Sequence, residues 1–210
     1  MNGLIKELID KNVPFTVDGR VMELRKKYTE RGVPTLLAES LNELLLFINL
    51  KQPKKILEFG TSVGCSGIAM LTAAKDAELY TIEKYDVSYA EAKENFEAFG
   101  YIGRVKQFFG EATEVVDKVG DGFDFVFLDC NKSKYKILLP KIKAIMNSGA
   151  ILFADNVLFR GYVTGEVKAP HRHNTIKNNM REFLRLICED GDFITTVSDI
   201  GDGISVSYKK

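Results

Sequence analysis

The stretch KKILEFGTSVGCSG, residues 54–67, passes from a short apolar run into a segment with glycines at positions 60, 64 and 67. A short apolar run with such an exit is typical of a buried parallel strand that turns into a helix. Glycine lets a backbone approach a ligand closely, and in open α/β sheets ligands bind beyond the carboxyl ends of the strands. The spacing is GxxxGxxG and lacks the GxGxxG that holds a dinucleotide pyrophosphate, so we expect a ligand without a pyrophosphate.

The pattern on either side of this stretch predicts an α/β fold. After Pro53, short apolar runs alternate five times with amphipathic stretches, which predicts βα units and a parallel sheet covered on both faces. The last two runs, FITTVSDI and GISVSYKK, are joined through GDG and predict an antiparallel hairpin at the sheet edge. Residues 4–11, 18–32 and 35–50 predict helices. We therefore expect one domain over 1–210, with a helical N-terminal cap over 1–52 and an α/β core over 53–210.

Composition limits the class of protein. The 210 residues, 45% of them hydrophobic, suffice for one sizeable core. No apolar run reaches the roughly 18 residues of a membrane span, and the N-terminus lacks the apolar stretch of a signal peptide, so we expect a cytoplasmic protein. Formal net charge is zero, which disfavours non-specific polyanion binding but allows a local basic patch. Cys65, Cys130 and Cys188 lack metal-ligand spacing, and we expect reduced thiols in or near the core.

Acidic residues lie at the ends of the second and third predicted strands. The run ELYTIEK ends near Glu83, whose carboxylate can accept hydrogen bonds from both hydroxyls of a ribose; an exposed glutamate beside Lys84 is the alternative. The third strand ends in FFGEA, where Glu111 begins a helix and also suits the positive end of the helix dipole. With the glycine segment, these strand ends predict a pocket for an adenosine-like ligand.

The fourth and fifth strands end in oxygen ligands. FDFVFLD ends in Asp129, and AILFAD ends in Asp155, which Asn156 follows. Adjacent strands lie about 4.8 Å apart, so these side chains can meet at one centre. Two carboxylates and a carboxamide suit Mg²⁺ or a similar divalent cation, although Asp155 and Asn156 could instead form an Asx turn or a helix cap. Lys132 could act as a base or stabilise an oxyanion, or it could be a solvated surface lysine.

The segment KAPHRHNTIKNNMR, residues 168–181, contains cations and no acid. It follows the predicted metal ligands and could hold phosphates of a nucleic acid, with a solvated helix start as the alternative. The two histidines lack further ligands nearby, which disfavours a metal site. The candidate substrate contacts are Arg160, just before this basic segment, and His171, Arg172, His173, Lys177 and Arg181 within it.

The chain resembles the magnesium-dependent S-adenosylmethionine O-methyltransferases related to catechol and caffeoyl-CoA O-methyltransferase over roughly residues 30–208. The resemblance rests on ILEFGTSVGCSGIAM, YTIEK, GEA, FVFLDCNKSKY and ILFADNVLFRG, in this order. Within that family, the DNVLF segment, a VP before the third helix and the late GDG are most similar to the bacterial tRNA 5-hydroxyuridine methyltransferases. The resemblance implies a Rossmann-like class I methyltransferase fold with a mostly parallel seven-stranded sheet.

Roles follow from the resemblance position by position. It implies Asp129, Asp155 and Asn156 as metal ligands, Lys132 and Asp129 as catalytic residues, and Glu83 as the ribose-binding acid. The implied cofactor contacts are Leu36, Glu58, Gly60, Ser66, Glu83, Glu111 and Asp129. Three departures alter the pocket wall: Cys65 replaces a frequent tyrosine, DCNK replaces the commoner DAAK, and Glu111 replaces the usual aspartate.

The implied reaction is methylation of 5-hydroxyuridine at the tRNA wobble position to 5-methoxyuridine, with S-adenosylmethionine and Mg²⁺. The implied partners are the tRNA anticodon loop and a second copy of the chain, with the N-terminal helices as a plausible dimer contact. O4 and O5 of 5-hydroxyuridine offer the same bidentate geometry as a catechol, so a small catechol-like substrate remains an alternative. A nicotinamide-dependent dehydrogenase would leave the Asp-Asn pair unexplained, and a non-catalytic RNA-binding protein would leave the ligand set without a role.

Overall fold

Seven strands form one sheet in the computed structural model, which describes residues 3–4, 7–9, 11 and 17–210. The strands are β1 (Lys55–Phe59), β2 (Glu78–Glu83), β3 (Val105–Phe109), β4 (Phe123–Leu128), β5 (Met146–Asp155), β6 (Phe193–Ser198) and β7 (Ile204–Lys209). Their order across the sheet is β3-β2-β1-β4-β5-β7-β6.

The direction of the strands determines which chain segments meet. Strands β1 to β5 pair in parallel, whereas β7 pairs antiparallel with β5 and β6 antiparallel with β7. The register places Asp155, the last residue of β5, opposite Ile204, the first residue of β7. The β6–β7 connection therefore lies at the same edge of the sheet as the carboxyl ends of the parallel strands.

Helices cover both faces of this sheet. They are α1 (Gly19–Glu30), α2 (Ala38–Lys51), α3 (Cys65–Ala73), α4 (Asp86–Ala98), α5 (Ala112–Val115), α6 (Tyr135–Ile145) and α7 (Asn174–Glu189). Asp18 caps α1 by accepting a hydrogen bond from Arg20 N at 2.8 Å, and Gly32 follows its end with φ of +76°. Glycine adopts this left-handed backbone at little cost, which explains why the helix ends there.

Apolar side chains form two clusters, one on each face of the sheet. Ile56 of β1 packs in the cluster with α1 to α4, and the next residue, Leu57, packs in the cluster with α5 to α7. Successive strand residues point to opposite faces, so a strand buried on both faces needs a continuous apolar run. This is the physical reason for the run KILEF.

The predicted βα alternation, parallel sheet and C-terminal hairpin are confirmed, and several element boundaries differ. The β5 strand begins at Met146, earlier than the predicted AILFAD run, with an irregular register near Phe123. The predicted helix after Glu111 is split into α5 and a 3-10 turn over 116–118. The predicted helix over 4–11 lies partly outside the described residues; its described members are helical.

Cysteine burial corrects one expectation. Cys65 is buried and Cys130 is half-buried, but Cys188 is exposed, because it lies on the outer face of α7 while Ile187 faces the core. The expectation that all three thiols lie in or near the core was therefore wrong for Cys188. Among the described residues, no helix combines the length and apolar character needed to cross a bilayer.

Candidate active site

A cavity of about 1110 Å³ opens at the carboxyl ends of the parallel strands. Seven chain segments contribute to its wall, since parallel strands end at one edge of the sheet. They are residues 32–37 before α2, Gly60 and Ser62 after β1, residues 82–88 around the end of β2, residues 110–112 after β3, residues 129–132 after β4, residues 155–160 after β5 and residues 201–202 between β6 and β7.

Gly60 allows the close packing of the β1 and β4 ends. Its φ is +97°, and a Cβ at this position would overlap the carbonyl oxygen of Asp129. Asp129 N donates to Phe59 O at 2.9 Å, and Gly60 N donates to Ile82 O at 3.0 Å. Gly60, one of the predicted cofactor contacts, therefore lines the cavity and allows Asp129 to lie close to the end of β1.

Glu83 is buried and its carboxylate is held by backbone donors. Ser62 N donates to Oε2 at 2.7 Å, and Lys84 N and Tyr85 N donate to Oε1 at 2.8 and 2.9 Å. The side chain lines the cavity with only 6% of the residue exposed, so the alternative of an exposed surface glutamate was wrong. A carboxylate fixed in this way retains lone pairs that can accept hydrogen bonds from ligand hydroxyls.

Glu111 and Leu36 form other parts of the wall. Glu111 lies 3.5 Å from Lys84 Nζ, and that ammonium stands over the ring of Tyr85 at 5.0 Å. The carbonyl oxygen of Leu36 accepts a hydrogen bond from Arg25 of α1 at 2.6 Å. The predicted contacts Glu111 and Leu36 thus both line the cavity.

Glu58 and Ser66 lie beneath the glycine segment and do not line the cavity. Glu58 is fully buried; Ser66 Oγ donates to its Oε1 at 2.5 Å and Thr81 Oγ1 to its Oε2 at 2.7 Å. Burial raises the pKa of Glu58 to about 7, although the two hydroxyl donors oppose this shift. In this geometry both residues support the glycine segment.

Asp129 and Asp155 meet at the cavity with Lys132. Lys132 Nζ lies 2.7 Å from Asp129 Oδ1. Asp155 is 3% exposed, and its Oδ1 is buried without a hydrogen-bond partner among the described residues. Burial and the charge of Asp129 raise the pKa of Asp155 to about 7. An unsatisfied buried carboxylate oxygen facing a second carboxylate is unfavourable unless a cation lies between them.

Asn156 adds a neutral oxygen to this pair. It lines the cavity with φ of +57°, and no helix begins at Asp155, since the next helical turn starts at His171. Helix capping therefore does not explain the pair. The described residues contain no group of three or more His, Cys, Asp or Glu placed to hold a metal. The candidate cation ligands at this cavity are instead two carboxylates and one carboxamide, and this combination fits a hard divalent cation.

Sequence reasoning missed Asp202, an aspartate of the cavity wall in addition to Asp129 and Asp155. It lies in the β6–β7 connection, lines the cavity, and its Oδ1 accepts a hydrogen bond from Arg160 N. The GDG was interpreted as a hairpin connection and as part of the family resemblance, with no role assigned to its aspartate. The missed signal is that this connection must adjoin the end of β5, because β7 pairs antiparallel with β5.

The six predicted substrate contacts lie in different environments. Arg160 lines the cavity, and the other five do not. His171 and Arg172 are exposed, whereas His173 stacks on Tyr162 with ring centroids 5.8 Å apart. Two of the cations already have partners: Lys177 Nζ lies 3.1 Å from Asn174 Oδ1, and Arg181 Nε donates to Val163 O at 2.7 Å.

Residues 18–210 match the family model described as O-methyltransferase. The chain belongs to the O-methyltransferase family. A catechol O-methyltransferase of Niastella koreensis is 31% identical over 178 residues, which cover 79% of this chain and 80% of that protein. The predicted enzyme class, an O-methyltransferase, is thereby confirmed.

Solved structures agree with the fold of this O-methyltransferase. A Staphylococcus aureus protein, provisionally described as a caffeoyl-CoA O-methyltransferase, superposes with a TM-score of 0.90 at 23% identity, covering 99% of this chain and 100% of its own. A Bacillus cereus O-methyltransferase in complex with SAH superposes with a TM-score of 0.83 at 20% identity, covering 97% of both chains. At these identities the likeness supports the fold alone, and the predicted Rossmann-like methyltransferase fold is confirmed.

Proposed function

We propose that this O-methyltransferase transfers the methyl group of S-adenosylmethionine to the 5-hydroxyl of 5-hydroxyuridine at the tRNA wobble position, with Mg²⁺ bound beside the substrate. One observation carries the chemistry: Asp155 Oδ1 is buried without a hydrogen-bond partner in the part of the chain that the structure describes, next to the Asp129–Lys132 pair, in a cavity that Glu83 also lines. In this proposal Asp155 and Asp129 belong to the cation site, Lys132 lies beside the reacting oxygen, and Glu83 belongs to the ribose site of the same cavity.

The cofactor half of the cavity suits S-adenosylmethionine, which supplies an activated methyl group. Glu83 presents carboxylate lone pairs to the ribose hydroxyls, and Gly60 lets the backbone approach the ligand. Glu111 also lines the cavity, where its carboxylate would accept a hydrogen bond from the adenine amino group, and Leu36 adds an apolar wall. S-adenosylmethionine contains no pyrophosphate, which is the kind of ligand expected from the GxxxGxxG spacing.

Asp129, Asp155 and Asn156 would hold the divalent cation. When bound, Mg²⁺ supplies Lewis-acid polarisation, which lowers the pKa of a substrate hydroxyl. Lys132 places its Nζ beside Asp129, where it stabilises the developing oxyanion or, in its neutral form, receives the hydroxyl proton. By holding the cation, Asp155 and Asp129 would fix the position of the reacting oxygen relative to the methyl donor.

Exposed basic residues that follow the predicted metal ligands in the chain favour a nucleic-acid substrate. Arg160 lies on the cavity wall, and Lys168, His171 and Arg172 of the basic segment are exposed. Cations placed along one surface bind backbone phosphates and fix the register of an RNA without reading its sequence. The anticodon loop of a tRNA has this combination of phosphates and an accessible base.

A small catechol-like molecule is the second candidate substrate. The observation that favours it is the 31% identity to a catechol O-methyltransferase. A catechol and the O4–O5 edge of 5-hydroxyuridine present two neighbouring oxygens to a cation in the same way. The residues around the cation site therefore do not distinguish the two substrates, and the preference for tRNA in this proposal rests on the basic segment.

Methyl transfer from labelled S-adenosylmethionine tests the proposal. The acceptors are tRNA carrying 5-hydroxyuridine, the same tRNA carrying uridine, and a catechol, each with Mg²⁺ and with a chelator. We expect chelator-sensitive labelling of the hydroxylated tRNA at much higher efficiency than of the catechol. Labelling of the catechol alone would retain the chemistry and overturn the tRNA substrate.

Charge variants distinguish the substrates within one protein. Arg172→Ala with Lys168→Ala should raise the KM for tRNA about tenfold and leave the rate with free 5-hydroxyuridine nucleoside unchanged. Lys75→Ala is the matched control, because Lys75 is also exposed but lies at the opposite edge of the sheet. Equal effects on tRNA and nucleoside would contradict a phosphate-binding role.

The predicted homodimer and cytoplasmic location remain predictions.

A further inference from the structure

The turn after β5 has an unfavourable backbone. Three non-glycine residues have positive φ values: Asn156 at +57°, Phe159 at +44° and Arg160 at +59°. Residues with a Cβ rarely adopt this conformation, and it persists only where surrounding contacts hold it. The turn contains both the proposed ligand Asn156 and the cavity residue Arg160, so whatever holds it also shapes the site.

The β6–β7 connection holds this turn through three hydrogen bonds. Val157 N donates to Gly203 O at 2.9 Å, and Leu158 N donates to Asp202 O at 3.0 Å. The third bond is made by a side chain: Asp202 Oδ1 accepts from Arg160 N. Asp202 therefore contacts the turn twice, once through its carbonyl oxygen and once through its carboxylate.

Two glycines show how closely the connection is packed. A Cβ at Gly203 would overlap the side chain of Leu158 and lie 2.7 Å from its backbone nitrogen, and a Cβ at Gly201 would overlap Ser40 Oγ of α2. The connection is thus pressed against the turn on one side and against α2 on the other. Asp202, between the two glycines, is held in place from both directions.

Asp202 also lies on the cavity wall. It is half-buried, and its charge interacts with those of Lys132, Arg160 and Asp155. A carboxylate is costly to bury unless it accepts hydrogen bonds, and the Arg160 amide supplies one. Asp202 therefore contacts the turn after β5 and lines the cavity at the same time.

We propose that Asp202 is a positioning residue that holds Asn156 in place to complete the cation site, by accepting the hydrogen bond of the Arg160 amide. The inference rests on the proposed function, because it requires Asp129, Asp155 and Asn156 to bind a divalent cation. Asp202 does not itself bind the cation. It acts through the backbone of the turn.

Substitutions at Asp202 separate its acceptor from its charge. Asp202→Asn keeps an oxygen that can accept the Arg160 hydrogen bond, whereas Asp202→Ala removes it; Asp202→Ser provides a second loss variant if the alanine protein is unstable. The matched control is Asp121→Ala. Asp121 lies in another Gly-Asp-Gly segment, residues 120–122, is exposed, and is at the opposite edge of the sheet before β4.

Two measurements on the full-length protein, without methyl donor or RNA, test the inference. In calorimetric titrations with Mg²⁺, D202A should weaken binding about tenfold, while D202N stays within about threefold of wild type and D121A is unchanged. In amide hydrogen exchange, the Arg160 amide should exchange faster in D202A and keep its protection in D202N. Wild-type Mg²⁺ affinity for D202A, or an equal loss in D202N and D202A, would overturn the inference.

The two measurements also separate this inference from the proposed function. A wild-type protein that binds no Mg²⁺ would overturn the cation site, and with it the role of Asp202 toward Asn156. A wild-type protein that binds Mg²⁺ while D202A keeps both affinity and protection would overturn the role of Asp202 alone. An unchanged hydrogen-exchange rate of the Arg160 amide in D202A would contradict the hydrogen bond between Asp202 and Arg160, whether or not the Mg²⁺ affinity changes.

Discussion

Lys132 Nζ lies 2.7 Å from Asp129 Oδ1, so the lysine pairs with one of the two carboxylates of the proposed cation site, whereas Oδ1 of the other, Asp155, has no hydrogen-bond partner among the described residues. Burial of Asp155 together with the Asp129 charge raises its pKa to about 7. The protein therefore keeps an electrostatically unfavourable group at its centre. Such groups are retained where function requires them.

Lys132→Met should remove the ammonium and keep the length of the side chain. We expect kcat to fall about 100-fold, the usual scale for loss of a proton-transfer or oxyanion-stabilising group, with little change in KM for S-adenosylmethionine. Steady-state kinetics with both substrates varied measure this. Lys134→Met is the control, because Lys134 is in the same 3-10 turn but does not line the cavity. A K132M protein with wild-type kcat would exclude a catalytic role.

Asp155→Asn should stabilise the metal-free protein and abolish methyl transfer. At pH 8 with a chelator present, removing this unfavourable buried charge should raise the free energy of unfolding by about 1 kcal/mol. This corresponds to a Tm increase of about 2 to 4 °C in thermal unfolding. Asp129→Asn is the comparison: it should give no increase, since it leaves Lys132 unpaired. A lower Tm for metal-free D155N would show that the buried charge of Asp155 does not destabilise the protein.

Glu83→Gln should weaken binding of S-adenosylmethionine about tenfold, or about 1.4 kcal/mol. The substitution turns an amide N–H₂ toward one of the three backbone N–H donors that now face the carboxylate. Calorimetry measures the affinity directly. Glu78→Gln is the control on the same strand, because Glu78 lies at its other end and pairs with Lys106. Unchanged affinity in E83Q would remove Glu83 from the ribose site.

Glu58 should make stability depend on pH. Its pKa is about 7 in the folded protein against an ordinary value of 4.5, so the folded state binds this proton more tightly. The stability that protonated Glu58 contributes is complete below about pH 4.5, is lost as the pH rises to about 7, and stays lost above that range.

Glu58→Gln should remove this part of the pH dependence. Its free energy of unfolding relative to wild type should increase by about 2 kcal/mol between pH 5 and pH 8. Denaturant unfolding of both proteins at several pH values measures the difference, which cancels the titration of other groups. A difference that does not vary with pH would mean that Glu58 titrates normally.

Local patterns in the sequence predicted most of the fold. The continuous apolar run of β1 predicted a strand buried on both faces, and the run is packed between the two clusters. The irregular start of β5 at Met146 was not predictable, because it depends on pairing with Phe123 of another strand. Likewise Cys188 and Ile187 are adjacent, and only helix packing decides which of them faces the core.

By itself, the sequence determined which residues end the parallel strands, because strand ends follow from local apolar runs and glycines. That placed Glu83, Asp129 and Asp155 at one edge of the sheet. Only the tertiary structure decided that Glu58 and Ser66 lie beneath the cavity and that Asp202 lies on its wall. These positions depend on contacts between segments far apart in the chain, such as Asp202 with Arg160, and no local pattern encodes them.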